Sequence, residues 1–173
     1  MTEHRIMIRF GILIISDRSA TGERMDKSGP ALSNQIQNNN WCVVGQEIVP
    51  DEFELIAAKL SDWADSGNFD IIITTGGTGL SPRDITPEAT LSVIERLAPG
   101  FCEAMRFSSL QVTPHAMLSR SVAGIRKKTV IINLPGSPKG AVDNLQTIIP
   151  VLPHAVQLLS EDPEAEAGHD FPA

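Results

Sequence analysis

The residues best equipped for chemistry lie in one run, Thr74-Thr75-Gly76-Gly77-Thr78-Gly79, followed closely by Pro82-Arg83-Asp84. Its three glycines carry no Cβ, so the backbone can approach a ligand closely and adopt positive φ. Exposed N–H groups in such a loop suit phosphate or another anion. Arg83 adds a charge-assisted donor. Asp84 reads either as the turn partner of Arg83 or as an oxygen ligand for Mg²⁺. Three further segments carry compatible groups: Ser16-Asp17, Pro50-Asp51 and Asn133-Leu134-Pro135-Gly136-Ser137. Asp51 reads as a helix N-cap or as a second Mg²⁺ ligand. Asn133 could read the edge of a heterocycle or cap the loop that follows it. Together these groups suit phosphoryl or nucleotidyl transfer, in which a protein mainly positions phosphates and balances their charge. No Gly-x-x-x-x-Gly-Lys-[Ser/Thr] is present, which excludes a P-loop NTPase. No Gly-x-Gly-x-x-Gly follows the first strand, which argues against a dinucleotide-binding Rossmann enzyme. Neither a Ser-His-Asp pattern nor Gly-x-Ser-x-Gly is evident, and His115 and His154 read as structural.

Elements placed around these segments explain how they could converge. Phe10-Gly11-Ile12-Leu13-Ile14-Ile15 and Ile71-Ile72-Ile73 are apolar without alternation, as expected of strands buried on both faces of a parallel sheet. Thr129 to Leu134 is a β-branched strand, and Cys42 to Val49 a weaker one interrupted by Gly45. Helices are expected from Pro30 to about Asn38 and from Phe53 to Ala64, where Phe53, Ile56, Ala57, Leu60, Trp63 and Ala64 form one stripe. Others are expected through Leu91, Ile94 and Leu97, from Phe101 to about Leu110, and from Lys139 or Gly140 towards Leu159 with a possible break at Pro153. Residues 16–29 read as one long loop, and 113–126 as irregular or edge strands. The alternation predicts an α/β sandwich around a mostly parallel sheet. The four polar segments then sit at the carboxyl ends of strands, where open α/β sheets bind ligands.

The chain has 173 residues, 42% hydrophobic and 20% charged, enough for one domain with a sizeable core. Residues 1–160 are expected to form that domain and 161–173 an acidic flexible tail. The net charge of −7 argues against a nucleic-acid partner. A local basic group, Ser119-Arg120 with Arg126-Lys127-Lys128, reads either as a solvated face or as a contact for a phosphorylated ligand. The two cysteines, Cys42 and Cys102, have no metal-type spacing and read as reduced thiols. No signal-peptide pattern or membrane-length apolar run appears, so the expectation is a soluble cytoplasmic protein without a membrane partner.

The run Thr74 to Gly79, with Pro82-Arg83-Asp84-Ile85-Thr86-Pro87-Glu88-Ala89-Thr90, closely resembles the molybdopterin-binding family, which includes MogA, MoaB and the N-terminal domain of gephyrin. Further matches occur in family order: Ser16-Asp17, Asp26-Lys27-Ser28-Gly29, Val49-Pro50-Asp51-Glu52, Met117-Leu118-Ser119-Arg120, Gly124-Ile125-Arg126 and Asn133 to Ser137. The resemblance runs from about Phe10 to Leu159. It implies a three-layer α/β/α sandwich, a homotrimer, and an adenylyltransferase. Such enzymes use MgATP to adenylate the terminal phosphate of molybdopterin and release pyrophosphate. By the same resemblance Asp51 and Asp84 position Mg²⁺ and the ATP phosphates. Thr75, Gly76, Gly77, Thr78 and Gly79 bind the nucleotide, with Ser16 and Asp17 in the same site. Ser109, Ser119 and Asn133 match pterin-associated positions, and Pro135, Gly136 and Ser137 line the cleft. No second, molybdate-inserting domain is recognisable, so hand-over to a separate inserting protein is expected. A different class of function on this fold is a non-catalytic molybdopterin carrier or scaffold; a third is a phosphate-binding regulatory domain unrelated to molybdenum.

Overall fold

The computed structural model of the chain describes residues 6–161; the first five residues and the acidic segment after Glu161, expected as a tail, lie outside the described residues. Six strands form one sheet: β1 (Arg9–Ile15), β2 (Cys42–Val49), β3 (Ile71–Thr75), β4 (Arg96–Leu97), β5 (Ala123–Arg126) and β6 (Thr129–Leu134), in the order β2-β1-β3-β6-β5-β4. The four that read as strands in the sequence pair in parallel, while β5 and β4 add antiparallel at one edge. In register, Ile14 lies beside Thr75 and Thr75 beside Leu134, so the ends of β1, β3 and β6 finish together.

Alternate residues of the central strands feed two cores, because side chains alternate between the faces of a sheet. On one face Phe10, Ile12, Ile14, Ile71, Ile73 and Ile132 pack with α2 (Ser28–Asn38), α5 (Pro99–Leu110), α6 (Pro138–Ile148) and α7 (Leu152–Ser160). On the other, Leu13, Ile15, Ile72 and Ile131 pack with Ile56, Leu60 and Ala64 of α3 (Phe53–Asp65) and with Ala89 and Val93 of α4 (Thr86–Val93). The α/β sandwich is therefore three layers deep. The Gly45 that weakens β2 as a pattern has a packing reason. Trp63 and Phe69 stack at 4.8 Å, and a Cβ on Gly45 would stand 3.0 Å from the Phe69 ring.

Several boundaries differ from expectation. The loop after β1 contains a four-residue helix, α1 (Asp17–Ala20), with the Ser16 hydroxyl accepting from the Ser19 N–H. Helix α2 begins at Ser28, because Asp26 accepts the Ser28 and Gly29 N–H groups. Helix α4 stops at Val93, and Arg96–Leu97 pairs with β5 instead of continuing it. Helix α5 starts at Pro99, two residues before the expected Phe101, since the missing proline N–H falls in the first turn. The stretch 113–126 contains a 3-10 turn over Pro114–Leu118 before β5. The last helix breaks at a 3-10 turn around Pro150, and Pro153 sits in the first turn of α7. Among the described residues no helix is long and apolar enough to cross a membrane.

Candidate functional site

The carboxyl ends of the parallel strands open into two adjoining cavities, of 490 and 460 Å³. Between them stands the glycine loop. Its bend depends on Gly76 at φ +107° and Gly77 at φ +64°, conformations that side chains rarely adopt. A Cβ on Gly76 would stand 2.2 Å from the Ile15 carbonyl oxygen, and one on Gly136 3.2 Å from the Gly76 Cα. The loop after β3 and the loop after β6 thus touch backbone to backbone. Hydrogen bonds fasten them: Gly76 N–H to the Leu134 carbonyl (3.3 Å) and Thr75 Oγ1 to the Pro135 carbonyl (2.7 Å). Thr86 Oγ1 donates to the Gly76 carbonyl (2.9 Å), tying the start of α4 to the same bend.

The first cavity is lined by Ser16, Asp17, Asp51, Thr75, Gly76 and Asp84, among others. Asp17 and Asp51 hold each other reciprocally. The Asp17 N–H donates to Asp51 Oδ2 (2.9 Å), and the Asp51 N–H donates to Asp17 Oδ1 (3.0 Å). Asp51 is therefore not the cap of α3, a position held by Glu52 without a side-chain bond. Arg83 does not pair with its neighbour Asp84. Its guanidinium takes Asp17 in two bonds (3.0 and 2.8 Å) and Glu52 in a third (3.0 Å). That bidentate pair holds the Asp17 carboxyl below the usual carboxylate range. Burial pushes the Asp51 carboxyl up, and the negative charges of Asp17 and Asp84 push it further. Asp84 Oδ2 accepts only the Ser81 N–H (3.0 Å) among the described bonds.

Among the described residues neither Asp51 nor Asp84 forms an ion pair, and no cluster of three or more His, Cys, Asp or Glu could enclose a metal. Asp51 and Asp84 nonetheless line one cavity, and Mg²⁺ is commonly held by one or two carboxylates together with substrate phosphates. The residues present fit Mg²⁺.

The second cavity is lined by Thr78, Gly79, Ser109, Ser119, Ser121 and His115, with Cys102, Met105 and Leu118 supplying apolar surface. Burial pushes the Cys102 thiol up to about 11, so it stays protonated and behaves as part of that apolar surface. The Ser109 hydroxyl accepts from Asn144 Nδ2 (3.1 Å), and the Ser119 and Ser121 hydroxyls lie 2.9 Å apart. Gly77, Asp84, Gly136 and Ser137 line both cavities.

The structure thus brings together Ser16, Asp17, Asp51, Thr75 to Gly79, Asp84, Ser109, Ser119 and Pro135 to Ser137. It leaves Asn133 out. That side chain is fully buried and donates to Thr74 Oγ1 (3.0 Å) and Thr90 Oγ1 (2.8 Å), while its oxygen accepts the Val122 N–H (3.1 Å). Asn133 lines neither cavity and has no donor left for a heterocycle. Arg126, Lys127 and Lys128 are also absent from the cleft. Arg126 and Lys127 hold Asp65 at the far end of α3, lowering its carboxyl to about 2, and Lys128 pairs with Glu161. His115, Arg106, Thr113 and Asn144 line the second cavity although no spacing in the sequence marked them.

Residues 11–154 match the family model described as a probable molybdopterin binding domain. The molybdopterin adenylyltransferase of Helicobacter pylori is 44% identical over 88% of this chain and 88% of its own length. Gephyrin of Dictyostelium discoideum is 41% identical over 90% of this chain, which spans only 23% of that larger protein. Among solved structures, the molybdopterin biosynthesis enzyme MoaB of Thermus thermophilus superposes with a TM-score of 0.85 at 48% identity, covering 91% of this chain and 99% of that one.

Proposed function

We propose a reaction for this chain from one premise: the chain belongs to the molybdopterin-binding domain family. It is a molybdopterin adenylyltransferase of molybdenum cofactor biosynthesis. In our reading a molybdopterin phosphate oxygen attacks the α-phosphorus of ATP. The new P–O bond forms as the bond to the β-phosphate breaks, and pyrophosphate leaves. The observation that carries this reading is the shared wall: Gly77, Asp84, Gly136 and Ser137 face both cavities, so two substrates would meet across them. The nucleotide phosphates take the polar cavity beside Asp17, Asp51 and the glycine loop. The pterin takes the cavity with the apolar floor and the Ser109, Ser119 and Ser121 hydroxyls. Bringing both into one orientation removes much of the entropic cost of the encounter. Asp51 and Asp84 would hold Mg²⁺, which when bound neutralises phosphate charge. Arg83 is already committed to Asp17 and Glu52 and serves to orient them. Homotrimer assembly and hand-over of the product to a separate molybdate-inserting protein rest on the family resemblance alone.

The test is incubation of the purified protein with molybdopterin, ATP and pyrophosphatase, with and without Mg²⁺. Adenylated molybdopterin that forms only with Mg²⁺ is the expected result. Tight pterin binding without product would refute the reaction and leave a carrier or scaffold.

A further inference from the structure

Arg120 lines neither cavity, yet its bonds reach both ends of the turn that carries Asp84. Its backbone N–H donates to the Thr78 carbonyl (2.9 Å). Its Nε donates to the Gly79 carbonyl (2.7 Å) and its Nη2 to the Asp84 carbonyl (2.6 Å). Its Nη1 pairs with Glu88 in the first turn of α4. One planar guanidinium therefore spans the turn from Gly79 to Asp84 and fixes it to the helix behind. A lysine cannot do this, because its ammonium is a point charge without the fork. The turn's other outward anchor is Arg83, whose side chain bonds Asp17 and Glu52 across the first cavity and does not touch the Asp84 carboxylate. Leu80 is 64% exposed, and Ser81 and Asp84 mainly bond each other. Glu88 is committed in turn: its second oxygen, Oε2, is buried without a hydrogen-bond partner, so the carboxylate is anchored through Arg120.

We propose that Arg120 is a positioning residue for adenylyl transfer: it ties the Gly79–Asp84 turn to the Ser119–Ser121 wall of the second cavity and so fixes where Asp84 presents its carboxylate. This rests on the reaction proposed above. Because Ser119 and Ser121 flank Arg120 in the chain and line the cavity assigned to the pterin, the tether links that cavity to the carboxylate facing the nucleotide.

Arg120→Lys and Glu88→Gln test it, with three readouts. The first is the split of kcat from KM for MgATP and molybdopterin. The second is amide hydrogen exchange, and the third is the melting temperature. In Arg120→Lys we expect kcat to fall about 100-fold, the scale of a small displacement of a reacting group. KM for both substrates stays close to wild type, the signature of an interaction that matters in the transition state. The Ser81 and Asp84 amides exchange faster while the rest of the molecule keeps its protection. Glu88→Gln moves the same readouts in the same direction by less, and it decides the matter if Arg120→Lys fails to fold. Wild-type kcat with wild-type exchange at residues 79–84 overturns the proposal. So does a loss of kcat that merely follows a global rise in exchange. Wild-type protein that makes no adenylated product refutes the reaction instead, while the exchange comparison still reports on the tether.

Discussion

Replacing Gly76 with alanine tests the closeness of the two loops at the heart of the cleft. The added methyl would lie 2.2 Å from the Ile15 carbonyl oxygen, a backbone atom at the end of a central strand that has no rotamer by which to move away. The backbone there is also at φ +107°. A non-glycine residue held in such a region costs about 1–3 kcal/mol. Forcing a methyl into filled space costs about 1–3 kcal/mol more. The middle of the combined range, about 4 kcal/mol, is a large part of the roughly 5–15 kcal/mol that holds a domain together. For a chain of this size it lowers Tm by roughly 8–16 °C. Gly67→Ala is the control. Gly67 is also at positive φ, +72°, but has no neighbouring atom within 4 Å of a Cβ. It therefore meets only the backbone penalty, about 1–2 kcal/mol. Thermal unfolding followed by circular dichroism and by Trp41 and Trp63 fluorescence measures both. A Gly76→Ala protein that melts no lower than Gly67→Ala would show that the backbone approach at Ile15 does not exist as described.

Asp51→Asn should abolish most adenylated product, since it removes a carboxylate from the wall assigned to Mg²⁺. In metal-free protein it should also raise stability at neutral pH. The Asp51 carboxyl titrates above its ordinary 3.8, so ionising it works against the folded state. That disadvantage is absent below 3.8 and grows as pH rises through the elevated folded value. The melting advantage of Asp51→Asn should therefore vanish on acidification, and an advantage that persists in acid would contradict the assignment. Asn133→Ala should destabilise by roughly 3 kcal/mol, because it leaves the buried Thr74 and Thr90 hydroxyls and the Val122 N–H without their partner. Denaturant unfolding measures this, and the KM for molybdopterin in the folded fraction should not change. A KM defect without a stability defect would restore Asn133 to the ligand.

Much of the architecture was visible in the chain because strands buried on both faces leave unbroken apolar runs, as at Phe10–Ile15 and Ile71–Ile73. The gathering of polar segments at their carboxyl ends followed from sheet topology. What escaped was decided by contacts between distant residues. Asp51 has the look of a helix cap, but the Asp17 N–H, 34 residues away, claims its carboxylate. Arg83 precedes Asp84 yet pairs with Asp17, 66 residues away. Helix α1 has four residues, too few to show a period. The continuation of α4 through Ile94 and Leu97 was suggested by spacing, but Arg96–Leu97 has a strand partner in β5, and the ladder took precedence. Asn133 stands at a strand end as a ligand-reading amide would, and only its burial assigns it to the core.

The two edge strands of the sheet are both poor templates for a further strand. One edge is β4, only two residues long. The other, β2, pairs irregularly with β1 between Phe10 and Gly11 and carries Glu47, which is held by Lys59 of α3. A short strand, an irregular ladder and an edge charge each frustrate the docking of another strand. Open-ended stacking of copies through backbone bonds, the first step towards fibrils, is thereby disfavoured at both edges.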